Sequence, residues 1–253
     1  SNAYFLRDTM EGFIKKRLLC FERAEKQLLF YYRHENSYRL FFYAAQTSKL
    51  VLNSFDLPVF TAYQYYKGRE NAAMNTFLLN SGFSEYRLSG NMSMAVSESV
   101  FDNLRTNKVE YGTRDRGDEI IRLWRGSLDV YTSDIPDSKH LAEMIALGQI
   151  LVIIEDNAVR SVCHIRQEGN RIRVRLVATD KEYRRRGYCQ SFFHFICRGL
   201  AAGENTRVEL WVDVNNKPAV EAYLKFGMKF NGRLSKYYVY GENGLTQKGY
   251  NNI

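Results

Sequence analysis

The sequence predicts a fold of the α+β class, with a mixed β-sheet flanked by helices. Strand-like and helix-like segments both occur, but they alternate one for one only late in the chain, which argues against a doubly wound parallel sheet. Aromatic runs at residues 27–32 and 38–44 flank a polar pentapeptide, and this pattern indicates a β-hairpin. With 253 residues, 45% of them hydrophobic and 25% charged, the chain can bury a core in one domain or in two.

The first half of the chain begins with a predicted helix. Apolar residues spaced among charges indicate this helix over residues 4–26, ahead of the hairpin. A short helical segment is expected over residues 49–55, before Pro58. The pattern that follows predicts a strand at 59–66, a helix at 70–80 that ends at Gly82, and a strand at 86–96.

Two helices are predicted to open the second half. Asp118 is expected to cap the first, which extends to about residue 130, and Ser138 to cap the second, which ends near Gly148. Strands then follow at 149–155, 158–166 and 171–179, joined by short turns. The remaining predicted elements are a helix at 188–202, a strand at 207–214, a helix at 217–226 and one or two strands after Met228.

Parts of the two halves resemble each other. The spacing from Asn71 to Gly82 recurs from Asn216 to Gly227, 145 positions later in the chain. The order of the predicted elements around these residues also agrees. We therefore predict a degenerate tandem duplication, with domains at residues 4–107 and 108–253.

A short basic loop carries the clearest chemical signal. It contains Arg184, Arg185, Arg186 and Gly187, and the helix expected from Tyr188 begins directly afterwards. A helix N-terminus directs unpaired N–H groups at one point, where glycine allows close approach and arginines add charged hydrogen bonds. The arrangement suits an anion such as a pyrophosphate, and a solvated basic turn that caps a helix is the alternative interpretation.

A second informative segment follows about 30 residues later. An alternating strand leads to Asn216, and a helix then carries Pro218 in its first turn and ends at Gly227. Tyr223 lies seven residues after Asn216, about two turns along the same helical face. A buried aromatic residue of the core is the alternative interpretation of Tyr223.

Together the two segments resemble the GNAT superfamily of acyl-CoA-dependent N-acetyltransferases. The pyrophosphate loop of that family has the form Gln/Arg-x-x-Gly-x-Gly/Ala, which residues 184–189 fit except that Cys189 replaces the final small residue. The later family segment is matched at four positions, Asn216, Ala219, Tyr223 and Gly227. The resemblance covers about residues 109–241.

The resemblance implies a role for each matched residue, with acetyl-CoA as co-substrate. The CoA pyrophosphate would be held by the loop residues Arg184, Arg185, Arg186, Gly187, Tyr188 and Cys189. Backbone groups for the acyl carbonyl and the pantetheine arm would come from Val177, Ala178 and Thr179. Asn216 would contact the pantetheine arm or the thioester, and Tyr223 would protonate the departing CoA thiolate. An amine would attack the thioester directly.

The general base is not identified by the resemblance. Glu209, Asp213 and His164 are candidates by their strand positions, and we retain Glu209 as the predicted second catalytic residue. Cross-strand salt bridges explain Glu209 and Asp213 at least as well, because three arginines share one face of another strand, Arg171, Arg173 and Arg175.

The N-terminal half departs from the family pattern. Leu78 stands 145 positions before Tyr223, and no Arg-x-x-Gly-x-small loop occurs between Ala45 and Val59. A copy of the fold without these groups is expected to have lost CoA binding and to shape the substrate cleft or pack against the active half. Its many aromatic residues are interpreted as core and interface residues rather than a platform for nucleic-acid bases.

The predicted function is therefore that of an N-acetyltransferase of the cytoplasm. The acceptor would be a small-molecule amine or an exposed amine of a protein. One alternative is a non-catalytic sensor or scaffold that binds acyl-CoA. Another is an aminoacyl transferase of the tandem GNAT-like type, against which the loop of residues 184–189 argues, because such enzymes usually lack it.

Charge and cysteine spacing add limits to these expectations. The net charge of +8 is compatible with nucleic acid, an acidic membrane surface or an anionic small molecule. The longest basic run is residues 184–186 and no apolar run approaches a membrane span, so we expect neither a nucleic-acid nor a membrane partner. The four cysteines lack CxxC spacing, which indicates free thiols and no metal site. A homodimer is compatible with the sequence.

Overall fold

The fold is that of a computed structural model, which describes residues 19–24, 27–34, 36–44, 49–52, 55–96, 106–200 and 206–241. The described residues form two compact units. Those up to Ser89 and from Gly232 onward make up the N-terminal unit, and those from Gly90 to Asn231 make up the C-terminal unit. The predicted domains, residues 4–107 and 108–253, are the two copies of an expected tandem duplication. That division stays a prediction, because the compact units do not test it.

The N-terminal unit packs one helix on a mixed group of strands. Its elements are β1 (Leu19–Ala24), β2 (Gln27–His34), β3 (Ser37–Ala44), β4 (Val59–Tyr66), α1 (Ala72–Asn80), the first part of β5 (Ser84–Ala95) and most of β11 (Lys229–Tyr240). β1, β2 and β3 pair antiparallel in succession, β3 pairs parallel with β4, and β4 pairs antiparallel with β11. The hairpin and the strand at 59–66 are confirmed.

Two predictions for the N-terminal unit are wrong. β1 occupies the end of the predicted helix at 4–26, because it pairs with β2 along its whole length, and ladder hydrogen bonds of this kind override helical periodicity. Residues 4–18 lie outside the described residues. The expected helical segment at 49–55 is not helical in residues 49–52 or 55. Side chains hold its backbone instead, since Leu50 N–H donates to Ser81 Oγ at 2.6 Å and Val51 N–H donates to Gln27 Oε1 at 3.0 Å.

The C-terminal unit is a mixed sheet with helices on both faces, which confirms the predicted fold class. Its further elements are β6 (Glu110–Tyr111), α2 (Gly117–Ser127), α3 (Ser138–Ala146), β7 (Ile150–Glu155), β8 (Ala158–Glu168), β9 (Arg171–Thr179), α4 (Tyr188–Phe195), β10 (Arg207–Asp213) and α5 (Lys217–Lys225). From β10 the strand order runs β10-β9-β8-β7-β6. β9 and β10 are parallel, and the other pairs in this series are antiparallel.

The two faces of this sheet bury separate hydrophobic clusters. On the α4–α5 face, Val208, Leu210 and Val212 of β10 pack in one cluster with residues of α4 and α5 such as Phe193 and Tyr223. On the α2–α3 face, strand residues pack with residues of α2 and α3 in a second cluster that includes Ile120, Trp124, Leu141, Val162 and Leu176.

Helix boundaries in the C-terminal unit differ from the prediction in three places. α2 begins at Gly117 without a side-chain cap, so Asp118 is a first-turn residue rather than the cap. Asp137, not Ser138, caps α3, and its carboxylate accepts the N–H of His140 at 2.7 Å. The helix predicted at 188–202 ends at Phe195 and continues as a π-helical turn, Ile196–Leu200. The two-residue strand β6 carries too little sequence to be predicted.

Candidate active site

The parallel strands β9 and β10 pair only over their first residues. The register begins with Arg207 opposite Arg171 and ends with Leu210 opposite Val174. The next residue of β9, Arg175, is an insertion relative to β8, because Val174 lies opposite Ile165 and Leu176 lies opposite His164. One extra residue of this kind is a β-bulge, which bends the strand and ends regular pairing. β9 therefore leaves β10 at the bulge, and a gap opens between the two strands.

The bulge also reverses the alternation of β9. Ile172 and Val174, before the bulge, belong to the cluster on the α4–α5 face. Leu176 and Ala178, after it, belong to the cluster on the α2–α3 face. A strand edge that has lost its parallel neighbour presents backbone N–H and C=O groups without ladder partners, and such groups need other partners.

The structure places the predicted carbonyl-binding residues on this edge. Val177, Ala178 and Thr179 follow the bulge and pair on their other side with β8. Ser161 of β8 holds the strand end, since its Oγ donates to the carbonyl of Ala178 at 2.9 Å and lies 2.7 Å from Thr179 Oγ1. The side toward β10 is thus the side from which a ligand can reach this backbone.

The loop after β9 leads into α4 with a glycine in the capping position. Gly187 has φ +80°, in the left-handed region that favours glycine, and α4 has no side-chain cap. The first intrahelical bond runs from the N–H of Ser191 to the carbonyl of Gly187 at 2.9 Å. The N–H groups of residues 188–190 therefore have no carbonyl acceptor within the helix. The positive end of the helix dipole lies at the same point. This geometry suits an anion.

Two of the loop side chains contact a carboxylate that no sequence motif indicates. Glu155, at the end of β7, forms an ion pair with Arg186 at 2.6 Å and a short hydrogen bond with the hydroxyl of Tyr188. Burial, followed by the bond to Glu155, raises the pKa of Tyr188 to about 12. The guanidinium of Arg186 also lies 4.3 Å from the ring centroid of Tyr183. Glu155 thus anchors the loop to the sheet.

The other arginines of the loop are arranged differently. Arg184 Nε donates to the carbonyl of Thr179 at 3.4 Å, so this side chain turns back toward the end of β9. Arg185 has φ +64° and no ion-pair partner among the described residues. Of the three arginines, only Arg186 forms an ion pair with a carboxylate among the described residues, and Arg185 has neither an ion pair nor the turn back toward β9 that Arg184 makes.

Asn107 also contacts the loop, although no sequence pattern indicates it. Its side-chain amide donates to the carbonyl of Arg186 at 3.1 Å, and its backbone N–H donates to Ser191 Oγ at 2.8 Å. The contact spans about 80 positions of sequence, so no local pattern could have indicated it.

Tyr223 comes close to the end of the loop on the α4–α5 face. It is 9% exposed, and its ring centroid lies 5.8 Å from that of Phe193. Burial raises the pKa of Tyr223 well above its ordinary value, and the neighbouring thiols of Cys189 and Cys163 add to the effect. Tyr223 is therefore protonated at neutral pH. The same cluster holds Val177, Tyr188, Cys189 and Ala219.

The cysteines around Tyr223 behave as free, protonated thiols. Cys163, Cys189 and Cys197 form no disulfide, and the side chain of Cys20 lies outside the described ones. Burial raises the pKa of Cys189 to about 12. This thiol at the last position of the loop therefore brings no negative charge to the proposed anion site.

Asn216 is the N-cap of α5. Its Oδ1 accepts the N–H of Ala219 at 3.3 Å, which satisfies one of the free donors at the start of the helix. The contact with a pantetheine arm stays a prediction, and capping already gives this residue a structural reason for its position.

The structure does not bring Glu209 together with Tyr223. Glu209 lies between Val208 and Leu210, whose side chains face Tyr223, so Glu209 points to the α2–α3 face. It is 7% exposed, and its carboxylate accepts from Arg173 Nε at 2.8 Å. Arg173 also contacts Glu168 at 3.2 Å. The cross-strand salt bridge is thus present, and the role of Glu209 as a base stays a prediction.

The described residues include no group of three or more His, Cys, Asp and Glu side chains placed to bind a metal ion. None of the described helices combines the length and the apolar character needed to cross a membrane.

Comparisons with known proteins relate part of the chain to one family. Residues 118–228 match the model of the Acetyltransferase (GNAT) family. No curated protein matches the chain significantly. Similar solved structures include a GCN5-related N-acetyltransferase from Sphaerobacter thermophilus (TM-score 0.57, 11% identity, 91% of this chain and 84% of that chain) and one from Kribbella flavida (TM-score 0.53, 10% identity, 97% and 99%). A GNAT-family acetyltransferase from Colwellia psychrerythraea is also similar (TM-score 0.51, 9% identity, 84% and 84%).

At these identities the solved structures establish the fold, and the family model establishes the relationship. The segment from α2 to Met228 therefore belongs to the GNAT family of acetyltransferases. It contains the gap between β9 and β10, the loop with Gly187 and the helix with Tyr223.

Proposed function

We propose that this protein is an acyl-CoA-dependent N-acyltransferase that transfers an acetyl group from acetyl-CoA to an amine. The observation that carries the proposal is the position of three features along one path. The unpaired edge of β9 ends at Thr179, the uncapped N-terminus of α4 follows at Gly187, and Tyr223 packs in one cluster with Cys189 at the start of that helix. Acetyl-CoA has its thioester at one end of the pantetheine arm and its pyrophosphate at the other, which suits the edge of β9 for the thioester and the N-terminus of α4 for the pyrophosphate.

The pyrophosphate would bind at the N-terminus of α4. The free N–H groups of residues 188–190 and the helix dipole favour a negative charge there. Arg185 would add a charge-assisted hydrogen bond, because no carboxylate among the described residues engages it. Arg186 and Tyr188 would act indirectly, since Glu155 already holds both side chains in place.

The thioester would lie in the gap between β9 and β10. Backbone N–H groups on the edge beyond the bulge would stabilise the oxyanion that forms on the thioester carbonyl. The amine nitrogen forms a bond to the carbonyl carbon, the carbon–sulfur bond breaks, and Tyr223 gives its proton to the departing sulfur. The amine loses one proton and the thiolate gains one, so the reaction is balanced without a further reactant.

The first test is thermal unfolding with and without acetyl-CoA. At a concentration of about 100 times Kd, a ligand adds roughly 2.7 kcal/mol to the free energy of unfolding, which raises Tm by several degrees. Gly187→Asp and Gly187→Asn form a matched pair for this test. An added Cβ at Gly187 has its nearest neighbour, Gln190 Oε1, at 3.7 Å, and Asp and Asn both tolerate left-handed backbone. The two side chains have nearly the same size and shape, and only that of Asp is negatively charged.

We expect acetyl-CoA to stabilise the parent protein and the Asn variant more than the Asp variant. The carboxylate of Gly187→Asp would occupy the N–H groups of α4 and repel the pyrophosphate. Equal shifts in the two variants would contradict binding at this helix. A shift in the parent without transfer to any amine would instead favour a non-catalytic protein that binds acyl-CoA.

A further inference from the structure

The C-terminal unit buries unpartnered polar side-chain atoms on one face only. Among its described residues, the buried side-chain nitrogens and oxygens without a hydrogen-bond partner are Trp124 Nε1 and both ring nitrogens of His164. His164 is 5% exposed and Trp124 is fully buried. Buried polar groups without partners are unfavourable, and a bound ligand can supply the partner that the protein does not.

His164 lies on the α2–α3 face, directly beside the bulge. Its neighbours across the sheet are Ile150 and Leu176, and both belong to the cluster on that face. The bulge residue Arg175 falls between the partners of His164 and Ile165. His164 is thus one strand away from the point at which β9 leaves β10. The side chain of Arg175 is 42% exposed, so solvent reaches this part of the face.

The other candidate proton acceptors on this face are already engaged. The carboxylate of Glu209 accepts from Arg173 Nε at 2.8 Å, and Asp213 Oδ1 accepts the N–H of Asn215 at 2.8 Å. His164 has an acceptor nitrogen and a donor nitrogen, and neither has a partner among the described residues.

The surroundings of His164 favour neutral groups. Burial, with smaller contributions from the charges of Arg175 and Arg166, lowers the pKa of His164 to about 4, so the imidazole is neutral at pH 7. The same burial and the same arginines would disfavour an ammonium group bound against it. An amine must lose its charge before it can attack a thioester. The two carboxylates considered as bases, Glu209 and Asp213, are both engaged in the contacts given above.

We propose that the acceptor is an amine of low basicity and that it binds in its neutral form against the unpartnered imidazole of His164. This inference rests on the proposed acetyl transfer. The amine N–H donates to the acceptor nitrogen of His164, the amine nitrogen bonds to the thioester carbon as the carbon–sulfur bond breaks, and the proton lost by the amine passes to water. A peptide α-amine has a pKa of about 8 and a lysine side chain one of about 10.4. At pH 7 the neutral fraction therefore differs by a few hundred-fold.

The experiment measures acetyl transfer from acetyl-CoA to two peptides at pH 7. One peptide has a free α-amine and no lysine, and the other has a blocked α-amine and one lysine. We expect kcat/KM for the first peptide to exceed that for the second by at least about 100-fold. A preference for the lysine peptide would overturn the proposal.

Variants of His164 test the residue itself. His164→Leu removes both unpartnered nitrogens, so Tm should rise by a few degrees while KM for the α-amine peptide increases at least about tenfold and KM for acetyl-CoA is unchanged. His164→Gln keeps a donor and an acceptor and should retain a peptide KM close to that of the parent. Trp124→Phe is the matched control, because it removes the other unpartnered nitrogen on this face and should leave the kinetics unchanged.

The outcomes separate this inference from the proposed function. Equal peptide KM values for the parent, His164→Leu and His164→Gln would overturn the role of His164 and leave acetyl transfer standing. An equal loss of activity in Trp124→Phe and His164→Leu would also overturn the role of His164. The loss would then result from disturbed packing of the core on the α2–α3 face. Failure of the parent to acetylate any amine would remove the proposed function as well.

Discussion

Two segments of the chain share their secondary structure and differ in their chemistry. α1 and α5 each have nine residues, β5 and β11 each have twelve, and the second member of each pair begins 145 positions after the first. Asn71 and Asn216 cap the two helices through their side chains. Gly82 and Gly227 follow the helices with φ +85° and +83°. The same local rules thus build the same helix, turn and strand in both places.

The difference lies in what surrounds the two segments. Leu78 takes the position of Tyr223, and it is fully buried in the core of the N-terminal unit. In the C-terminal unit, β9 is followed by the loop with Gly187 and by α4, whereas no helix is found in the described residues between β3 and β4. The same helix, turn and strand therefore form without the groups that we propose bind an anion and donate a proton. The duplication itself stays a prediction, and in the proposed function the difference between the two segments lies in a loop and one hydroxyl group.

The largest expected effect comes from removing that hydroxyl. Tyr223→Phe should lower kcat by about 100-fold or more, because general acid catalysis contributes about 10²–10⁴ in rate. The ring keeps its contacts with Phe193, so stability and the shift in Tm caused by acetyl-CoA should be retained. Steady-state kinetics and thermal unfolding of the same preparation measure both. An unchanged kcat would show that Tyr223 is a core residue, as Leu78 is.

The corresponding change in the N-terminal unit should act on stability. Leu78→Ala removes a fully buried side chain, which costs about 2–5 kcal/mol of unfolding free energy through lost burial and the cavity left behind. Urea unfolding followed by circular dichroism measures this loss. At a temperature where the variant is folded, kcat should equal that of the parent. A fall in kcat without a fall in stability would place Leu78 in the site and remove the contrast.

The C-terminal unit should lose stability at acid pH because of His164. The folded-state pKa of His164, about 4, is below its unfolded value of about 6.5, so the unfolded chain binds the proton more tightly. Stability is therefore full above pH 6.5 and falls as the pH drops toward 4, by roughly 2 kcal/mol at pH 5 and roughly 3 kcal/mol at pH 4. Trp124 and Trp211 both lie in this unit, so tryptophan fluorescence in urea reports its unfolding. His164→Leu should lose this part of the pH dependence, and an unchanged slope would contradict the assignment.

Local patterns predicted most elements and the loop, because caps, turns and alternation are encoded within a few residues. The strand at Val59–Tyr66 and the start of α4 at Tyr188 were predicted in this way. The pattern of residues 4–26 predicts a helix where β1 forms, because β1 depends on its pairing with β2. A pairing partner of this kind leaves no trace in the periodicity of the strand itself.

The finer geometry of the site depends on register and distant contacts. The bulge at Arg175 is a mismatch between two strands, and neither strand shows it alone. For the same reason the sequence could not show that Glu209 and Tyr223 lie on opposite faces. The anchor at Glu155 lies about 30 positions from Arg186, and the ring nitrogens of His164 are buried without a partner among the described residues. Each of these features is a tertiary property, which local spacing does not determine.

The helix caps allow the most direct test of the two segments, because an asparagine caps the helix in both. The expected effect is small. Asn71→Ala and Asn216→Ala each remove a helix cap and should each cost about 1 kcal/mol of unfolding free energy. If Asn216 also contacts the pantetheine arm, its variant alone should raise KM for acetyl-CoA. Asn216→Ser keeps a capping oxygen but is too short for a long contact, so it should restore stability without restoring KM. An equal KM in all of these variants would reduce Asn216 to the structural role that Asn71 has.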